Sequence, residues 1–173
     1  IFKQKLKNKF LISKVNFRLS KKNHRINTSY KALSDKLIER RIKDPSISDV
    51  SSLVKEIRES KLPNYNQLGN AGSFFKNPVL KKKNFEKITN KYSSMPFYKM
   101  SENEYKLPAA WLIEKCGFKD ICENQVGVYK NQSLVIINKG GATGSDIYNF
   151  SQKIKQEVKN KFDILLEEEV NII

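Results

Sequence analysis

Gly69-Asn70-Ala71-Gly72-Ser73-Phe74-Phe75-Lys76-Asn77-Pro78 sets four kinds of chemistry side by side. Gly69, Ala71 and Gly72 strip side chains from three of four positions, so backbone can approach a ligand closely and adopt dihedrals that larger residues resist. Ser73 follows with a hydroxyl, Phe74 and Phe75 can anchor the loop in a core, and Lys76 and Asn77 supply a cation and an amide suited to phosphate or sugar oxygens. Read alone, the run fits a tight turn over a buried phenylalanine pair or a ligand-binding loop. It is not a P-loop, because the Walker spacing and its following Ser or Thr are missing, nor a dinucleotide fingerprint placed after a strand.

Upstream, Val15, Phe17 and Leu19 alternate with Asn16 and Arg18, the period-two pattern of a strand over Phe10 to Leu19 with one buried face. Leu33, Leu37 and Ile38, extending toward Ile42, make one stripe of a helix within Tyr30 to Ile42, which Asp44-Pro45 breaks. From Ser48, read as an N-cap, Val50, Leu53, Val54 and Ile57 recur at helical spacing to about Ser60. Residues 62 to 78 lack periodicity and read as a purposeful loop or a linker.

Downstream of Val79-Leu80 and the basic run Lys81-Lys82-Lys83, a helix is expected from Phe85 to about Lys91, then a loop containing Pro96. Pro108 suits the first turn of a helix Ala109 to Cys116, with Gly117 as its left-handed terminator. Val126 to Val128 and Leu134 to Ile137 read as short strands around a turn at Lys130 to Gln132. After Gly140, Gly141 and Gly144, a long helix begins near Ser145 with Ile147, Phe150, Ile154 and Val158 on one side, and a last strand covers Phe162 to Leu166. Helices and strands without regular βαβ alternation predict an α+β fold.

Two carboxylate-bearing or glycine-rich segments stand out. In a strand, Glu167 and Glu169 would share one face and Glu168 the other, so one carboxylate is expected to point inward, where desolvation raises its pKa. Gly140-Gly141-Ala142-Thr143-Gly144 reads as a helix-start connection or as an anion cradle.

The formal charge of +15 invites a polyanion reading, but only Arg18, Arg25, Arg40, Arg41 and Arg58 are arginine and the lysines are spread along the chain. Base readout and bidentate phosphate clamps favour clustered arginine, so nucleic acid is not the expected partner. No stretch approaches the roughly 20 apolar residues of a membrane span, so no membrane partner is expected and a cytoplasmic protein is the default. Cys116, Cys122 and the lone His24 are too few for a metal site or a disulfide framework, and the two cysteines read as reduced packing residues. Ile1 in place of Met and the apolar ending Asn171-Ile172-Ile173 lead to the expectation of a fragment.

Gly69 to Pro78 resembles the signature of the UDP-N-acetylenolpyruvoylglucosamine reductase family, flavoenzymes of peptidoglycan synthesis. Further similarities follow in order: Tyr30-Lys31-Ala32-Leu33 resembles the tyrosine loop of the longer family type, and Ile57-Arg58 with Lys61-Leu62-Pro63 the helix exit before the signature. Pro108 to Ile113 with Cys116-Gly117, Gln132 to Asn138, Gly140 to Asp146, and Leu166 to Val170 complete the series. Two departures are local: Lys31-Ala32 stand where the family often has Gly-Asp, and Glu168 where proline is frequent.

The resemblance implies catalytic roles for Ser73, as proton donor to the substrate, and Glu169, near the reacting enol. It implies that Tyr30, Arg58, Lys61, Asn77 and Gln132 contact the UDP-sugar, and it places Gly69, Asn70, Ala71 and Gly72 against the cofactor. It further implies FAD and NADPH as cofactors, UDP-N-acetylglucosamine enolpyruvate as substrate, a monomeric full-length enzyme, and an arginine of the site lying just before Ile1. The implied organisation assigns residues 1–61 to the remainder of a second FAD-binding domain, 62–166 to an α+β substrate-binding domain, and 167–173 to a strand returning toward the flavin domain. The fragment by itself is expected to be inactive. Two other classes answer to the same residues: a basic module binding nucleic acid or phosphates, and a flavin-free sugar-nucleotide enzyme.

Overall fold

Residues 2, 5, 6 and 9–173 are described by a computed structural model. Contacts divide the chain into two compact units, Ile1–Ser51 and Ser52–Ile173. Helix α1 (Lys31–Glu39) in the first unit buries Leu33 and Leu37, two residues of the expected stripe, and leaves Ile38 exposed. It ends at Arg40, and the left-handed Arg41 turns the chain away. The start of α2 (Ile47–Lys61) is capped by Ser46 rather than the expected Ser48. The Asp49 amide donates to the Ser46 hydroxyl oxygen (3.2 Å), and the Ser46 amide donates back to the Asp49 carboxylate (2.8 Å). That reciprocal box needs a carboxylate or amide side chain three residues after the cap, which Ser46 has in Asp49 and Ser48, followed by Ser51, does not.

The strand expected over Phe10 to Leu19 is absent. Among the described residues they pair with no strand, and Val15, Phe17 and Leu19 are 62%, 80% and 82% exposed. Alternation states which face would be buried beside a partner; it does not supply the partner's backbone.

In the second unit, a four-stranded antiparallel sheet has the order β1-β7-β6-β5, built from β1 (Gly69–Ser73), β5 (Cys122–Glu123), β6 (Val126–Val128) and β7 (Val135–Asn138). The pair β6 and β7 answers the two expected strands. That Gly69–Ser73 is a strand corrects the reading of residues 62 to 78 as loop or linker; its small residues show no apolar alternation in sequence, so the ladder to β7 is invisible in the pattern.

A second antiparallel sheet, β2-β4-β3, was not foreseen: β2 (Val79–Lys81), β3 (Tyr98–Ser101) and β4 (Glu104–Lys106). These strands are three or four residues long; the Lys81–Glu104 ion pair joins β2 to β4, and aromatic rings pack beside them. The rings of Tyr105 and Phe85 stack at 4.0 Å, Phe85 being carried by α3 (Lys82–Lys91). Helix α4 (Ala109–Lys115) follows Pro108 as expected, and Gly117 takes the left-handed conformation (φ +86°) that terminates it.

Helix α5 (Gly144–Phe162) covers the larger sheet and buries Phe150, Ile154, Val158 and Phe162 in one core with Phe75, Leu112, Ile113 and Leu166. The last expected strand is also corrected. The helix runs through Phe162 and stops at the left-handed Asp163. Ile164 and Leu166 are then buried and Leu165 exposed, a strand-like alternation without a ladder, and the one bridge made here joins Phe75 to Glu168. Mixed helices and antiparallel sheets give the expected α+β class.

Gly127 shows how tightly β5 and β6 approach: a Cβ there would lie 2.6 Å from the Ile121 carbonyl oxygen. Gly127→Ala is expected to destabilise the protein by about 1–3 kcal/mol in urea unfolding. Gly144→Ala, whose Cβ meets no atom within 4 Å, should leave stability unchanged or slightly raised.

Candidate functional site

Strand β1 is bent at the point where it delivers Ser73. Gly69 and Asn70 pair with Asn138 and Ile137, but the next pair is Ser73 with Val135, so β1 carries one extra residue, a bulge. Two features build it. Gly72 adopts φ +72°, and its amide donates to the Asn70 side-chain oxygen (3.0 Å) while the Asn70 side-chain amide donates to the Leu68 carbonyl (3.0 Å). Ser73 emerges exposed, immediately before the buried Phe74 and Phe75, whose rings meet edge to face at 5.1 Å.

Beyond Ser73 the chain changes partners. The Phe74 amide donates to the Leu134 carbonyl, and the Phe74 carbonyl accepts from the Glu169 amide, each at 2.8 Å. The Lys76 amide donates to the Glu167 carbonyl (2.8 Å), and the Lys76 ammonium meets the Glu167 carboxylate at 3.0 Å. These bonds bring Ser73 and Glu169, far apart in sequence, to neighbouring positions.

A cavity of about 910 Å³ opens beside them, walled by Ala71, Phe74, Glu168 and Val170 and, from the start of α5, Thr143 and Gly144. The walls are thus the neighbours of Ser73 and Glu169 on both segments. In front of Gly72 and Gly144 the space is open, since a Cβ built on either meets nothing within 4 Å.

The α5 start is a capping box. The Thr143 amide donates to the Asp146 carboxylate (2.8 Å) and the Asp146 amide to the Thr143 hydroxyl oxygen (3.2 Å). The Thr143 hydroxyl, then its amide, hold the Asp146 carboxyl below the usual carboxylate range. Asn138 organises the glycines before it, its side-chain oxygen accepting from the Gly140 amide (2.8 Å) and its amide donating to the Ala142 carbonyl (2.9 Å). Of the two readings of this segment, the helix-start connection accounts for these bonds.

The alternation expected of the glutamates holds: Glu167 and Glu169 are exposed and Glu168 is partly buried. The expected direction of the inward pKa does not. Burial pushes the Glu168 carboxyl up, but its hydrogen bonds to the Lys155 ammonium (2.7 Å), its own backbone amide and the Gln152 amide (3.1 Å), with the Lys155 charge, together bring it below its ordinary value. The inward carboxylate is therefore an ion-pair member, with side chains of Lys155 and Glu168 only 17% and 22% exposed.

Asn77 has a structural duty unseen in the sequence. Its side-chain oxygen accepts from the Ala109 amide (2.8 Å), capping α4 where Pro108 has no side-chain oxygen to offer. Gln132 lies in the turn before β7 and its side-chain oxygen accepts from the Leu134 amide (3.4 Å). Next to it, the Asn131 amide donates to the Ser60 carbonyl (2.9 Å), tying this turn to the end of α2, which carries Arg58 and Lys61. Within the second unit, Ser73, Glu169, Asn77, Gln132 and the α2 end thus belong to one bonded framework. Tyr30 lies in the first unit, exposed, at the N-terminus of α1.

Two polar residues escaped the sequence reading. Tyr98 and Lys106 are cross-strand partners, Lys106 also pairs with Val79, and the Leu107 amide donates to the Pro78 carbonyl (2.9 Å), so this face adjoins Asn77. Tyr98 is 61% exposed, offering a ring and an ammonium on one surface. Strands this short leave no periodic signal that would have found them.

Among the described residues no group of three or more His, Cys, Asp or Glu could hold a metal. Cys116 is a half-buried free thiol and Cys122 an exposed one, which corrects the reading of Cys122 as a packing residue; burial, more than the nearby Lys161 and Glu157 charges, pushes the Cys116 thiol up. The His24 ring bonds the Ser20 carbonyl (2.8 Å). No helix among the described residues is long and apolar enough to cross a membrane.

Residues 63–173 match a family described as UDP-N-acetylenolpyruvoylglucosamine reductase, C-terminal domain. Over all 173 residues the chain is 49% identical to the UDP-N-acetylenolpyruvoylglucosamine reductase of Flavobacterium johnsoniae, 43% to that of Amoebophilus asiaticus and 41% to that of Porphyromonas gingivalis. It covers 51% of each, so the chain spans about half the length of the curated relatives it matches.

Because the folded state holds Glu168 below its ordinary pKa of 4.5, protonation favours the unfolded chain. The pair's contribution should be complete above that value and disappear as pH falls through the lowered one. Urea unfolding from pH 7 to pH 3 should show wild-type stability converging on that of Glu168→Gln, which at neutral pH should be lower by about 1–2 kcal/mol.

Proposed function

This chain belongs to the UDP-N-acetylenolpyruvoylglucosamine reductase family, and we propose that it forms the substrate-binding side of an enzyme that reduces UDP-N-acetylglucosamine enolpyruvate to UDP-N-acetylmuramate. The observation that carries this reading is the junction at Phe74, which joins the Ser73 bulge to the Glu169 segment beside an open cavity. In this assignment residues 1–61 complete a flavin domain, 62–166 bind the sugar nucleotide and 167–173 return toward the flavin.

The reaction adds hydride to the vinyl carbon of the enolpyruvyl ether and a proton to the adjacent carbon. Hydride addition leaves an enolate beside the substrate carboxylate, and charge developing there must be met by positioned donors. Ser73 Oγ is the proton donor to that carbon, and Glu169 stabilises the enol side of the reacting group. The bulge at Gly72 points Ser73 out of the sheet, and the Glu169 amide bond to Phe74 holds the carboxylate-bearing segment against it.

Asn77, Gln132, Arg58, Lys61 and Tyr30 take the sugar nucleotide, chiefly its pyrophosphate and uridine side. Tyr98 and Lys106 extend that surface with an aromatic face and a cation. Asn77 Oδ1 is held by the Ala109 amide, which leaves the Nδ2 end to face ligand oxygens.

The residues fit the flavin that this reading requires. Gly72 and Gly144 present open space where side chains would stand, Ala71 lines the cavity, and Gly69 and Asn70 support the bulge. FAD bound against Gly69 to Gly72 would supply the hydride, with NADPH as the source of electrons. The half-chain alone, without the remaining flavin-binding segment of the longer protein, neither holds FAD tightly nor turns over substrate.

In the protein encoded by the intact gene, Ser73→Ala should lower kcat by a factor of about 10²–10⁴ with substrate affinity little changed, the span typical for loss of a positioned acid. Flavin reduction by NADPH, followed in stopped flow, should continue at its normal rate. Slow flavin reduction in Ser73→Ala, or full turnover, would remove Ser73 from the proton-donor role. Glu169→Gln should slow flavin reoxidation by substrate in the same assay while leaving NADPH oxidation in the first half intact.

A further inference from the structure

Many lysines of the second unit are neutralised by a neighbouring carboxylate. Lys55, Lys76, Lys81, Lys82, Lys99, Lys119, Lys153, Lys155 and Lys159 each meet a carboxylate within 4 Å. Of the run Lys81-Lys82-Lys83, the first is held by Glu104 and the second by Glu86. Lys83 then begins a series at i, i+4 spacing, Lys83, Lys87 and Lys91, all exposed along α3 while Phe85 and Ile88 of the same helix are buried.

That stripe continues across a cleft of about 260 Å³ to the end of α5. Lys87, Lys91 and Lys161 line the cleft, with Tyr92 and Phe162 among its walls. The Lys91 ammonium lies 5.7 Å from the Tyr92 ring centre and that of Lys115 5.5 Å from the Trp111 ring centre, while Tyr92 and Trp111 meet edge to face at 5.8 Å. The Lys161 ammonium donates to the Lys115 carbonyl. Five lysines therefore form one surface with half-buried aromatic rings between them. Three acidic residues accompany it: Asp163, whose carboxylate Lys159 holds and which the Lys87 charge also reaches, Glu86 of α3, paired with Lys82, and Glu157, which acts on Cys116 nearby. The balance is positive.

We propose that this α3–α5 surface docks the protein reversibly on an anionic lipid bilayer. Lysine rather than arginine lines it, which suits diffuse attraction to a charged surface more than bidentate grip on nucleic-acid phosphates. Tyr92 and Trp111 are the side-chain types that settle at a membrane–water interface, and long lysine stems lie along such rings with their ammonium groups in water. The attachment is peripheral, compatible with the lack of a spanning helix among the described residues, and it departs from the expectation that no membrane takes part. It does not depend on the catalytic assignment, since none of the five lysines belongs to the proposed substrate surface.

The test is sedimentation of the protein encoded by the intact gene with phosphatidylcholine vesicles containing none or one third phosphatidylglycerol, in low salt and near physiological salt. Binding should appear with the anionic vesicles alone and weaken with salt. Lys83→Gln/Lys87→Gln/Lys91→Gln should weaken it by roughly 100-fold at low salt, and the corresponding triple arginine variant should retain it. Lys14→Gln/Lys21→Gln/Lys22→Gln, an equal change of charge on other exposed lysines, should lower it only a few-fold. Equal losses in the two glutamine triples would reduce the effect to net charge and overturn the proposal. Binding to neutral vesicles as strong as to anionic ones, or a marked preference for duplex DNA over vesicles of matched charge, would overturn it too. Circular dichroism and thermal melting confirm that each variant is folded.

Discussion

One backbone group organises the second unit: the carbonyl of Phe74, which accepts the Glu169 amide while the Phe74 amide is committed to Leu134. A single residue is thus bonded on one side to the sheet and on the other to the last segment of the chain. Phe74 and its neighbour Phe75 can serve this purpose because their side chains are buried in the main core, so the two hydrogen bonds form at a position that cannot drift. Lys76 adds a second backbone bond and an ion pair to the same segment. Without this junction, residues 164–173 would have burial at Ile164 and Leu166 but no fixed register.

The core and the proposed chemistry meet across that junction. Ser73 is exposed just beyond the extra residue in β1 and just before the buried phenylalanines, so the residues that must move least support the one proposed to reach substrate. Lys155 and Glu168 perform a related task on the far wall of the cavity. Their pairing places a carboxylate at partial burial without a proton, because three hydrogen bonds and a cation outweigh desolvation. The glutamate that points inward is consequently a structural group, whereas Glu169 is exposed.

Helix signals were the most readable. Stripes at Leu33 and Leu37, at Leu53 and Ile57, and at Phe150, Ile154 and Val158 are buried where the 3.6-residue period put them, and Gly117 ends α4 in the left-handed conformation its position implied. Local chemistry of this kind is contained in a few adjacent residues. Strands fared differently. Phe10 to Leu19 shows good alternation and no ladder, whereas Gly69 to Ser73 shows none and has one. The small sheet β2-β4-β3 was missed because its strands depend on distant partners and on the Phe85–Tyr105 stack. Tyr98 and Lys106 were missed with it.

By itself, the sequence determined the α+β class, the helix faces, the free cysteines and, through its ordered motifs, the family. Those features reside in local composition and in runs of adjacent residues. Tertiary structure alone decided that Asn77 caps α4, that Glu168 rather than Glu169 turns inward as a paired carboxylate, and that Ser73 and Glu169 become neighbours. Each of these depends on a hydrogen bond between residues more than ten positions apart, and such a bond has no counterpart in the spacing of side chains along a chain. The basic surface around α3 has the same origin: lysines are spread through the whole sequence, and only folding determines which of them find carboxylates and which remain together facing solvent.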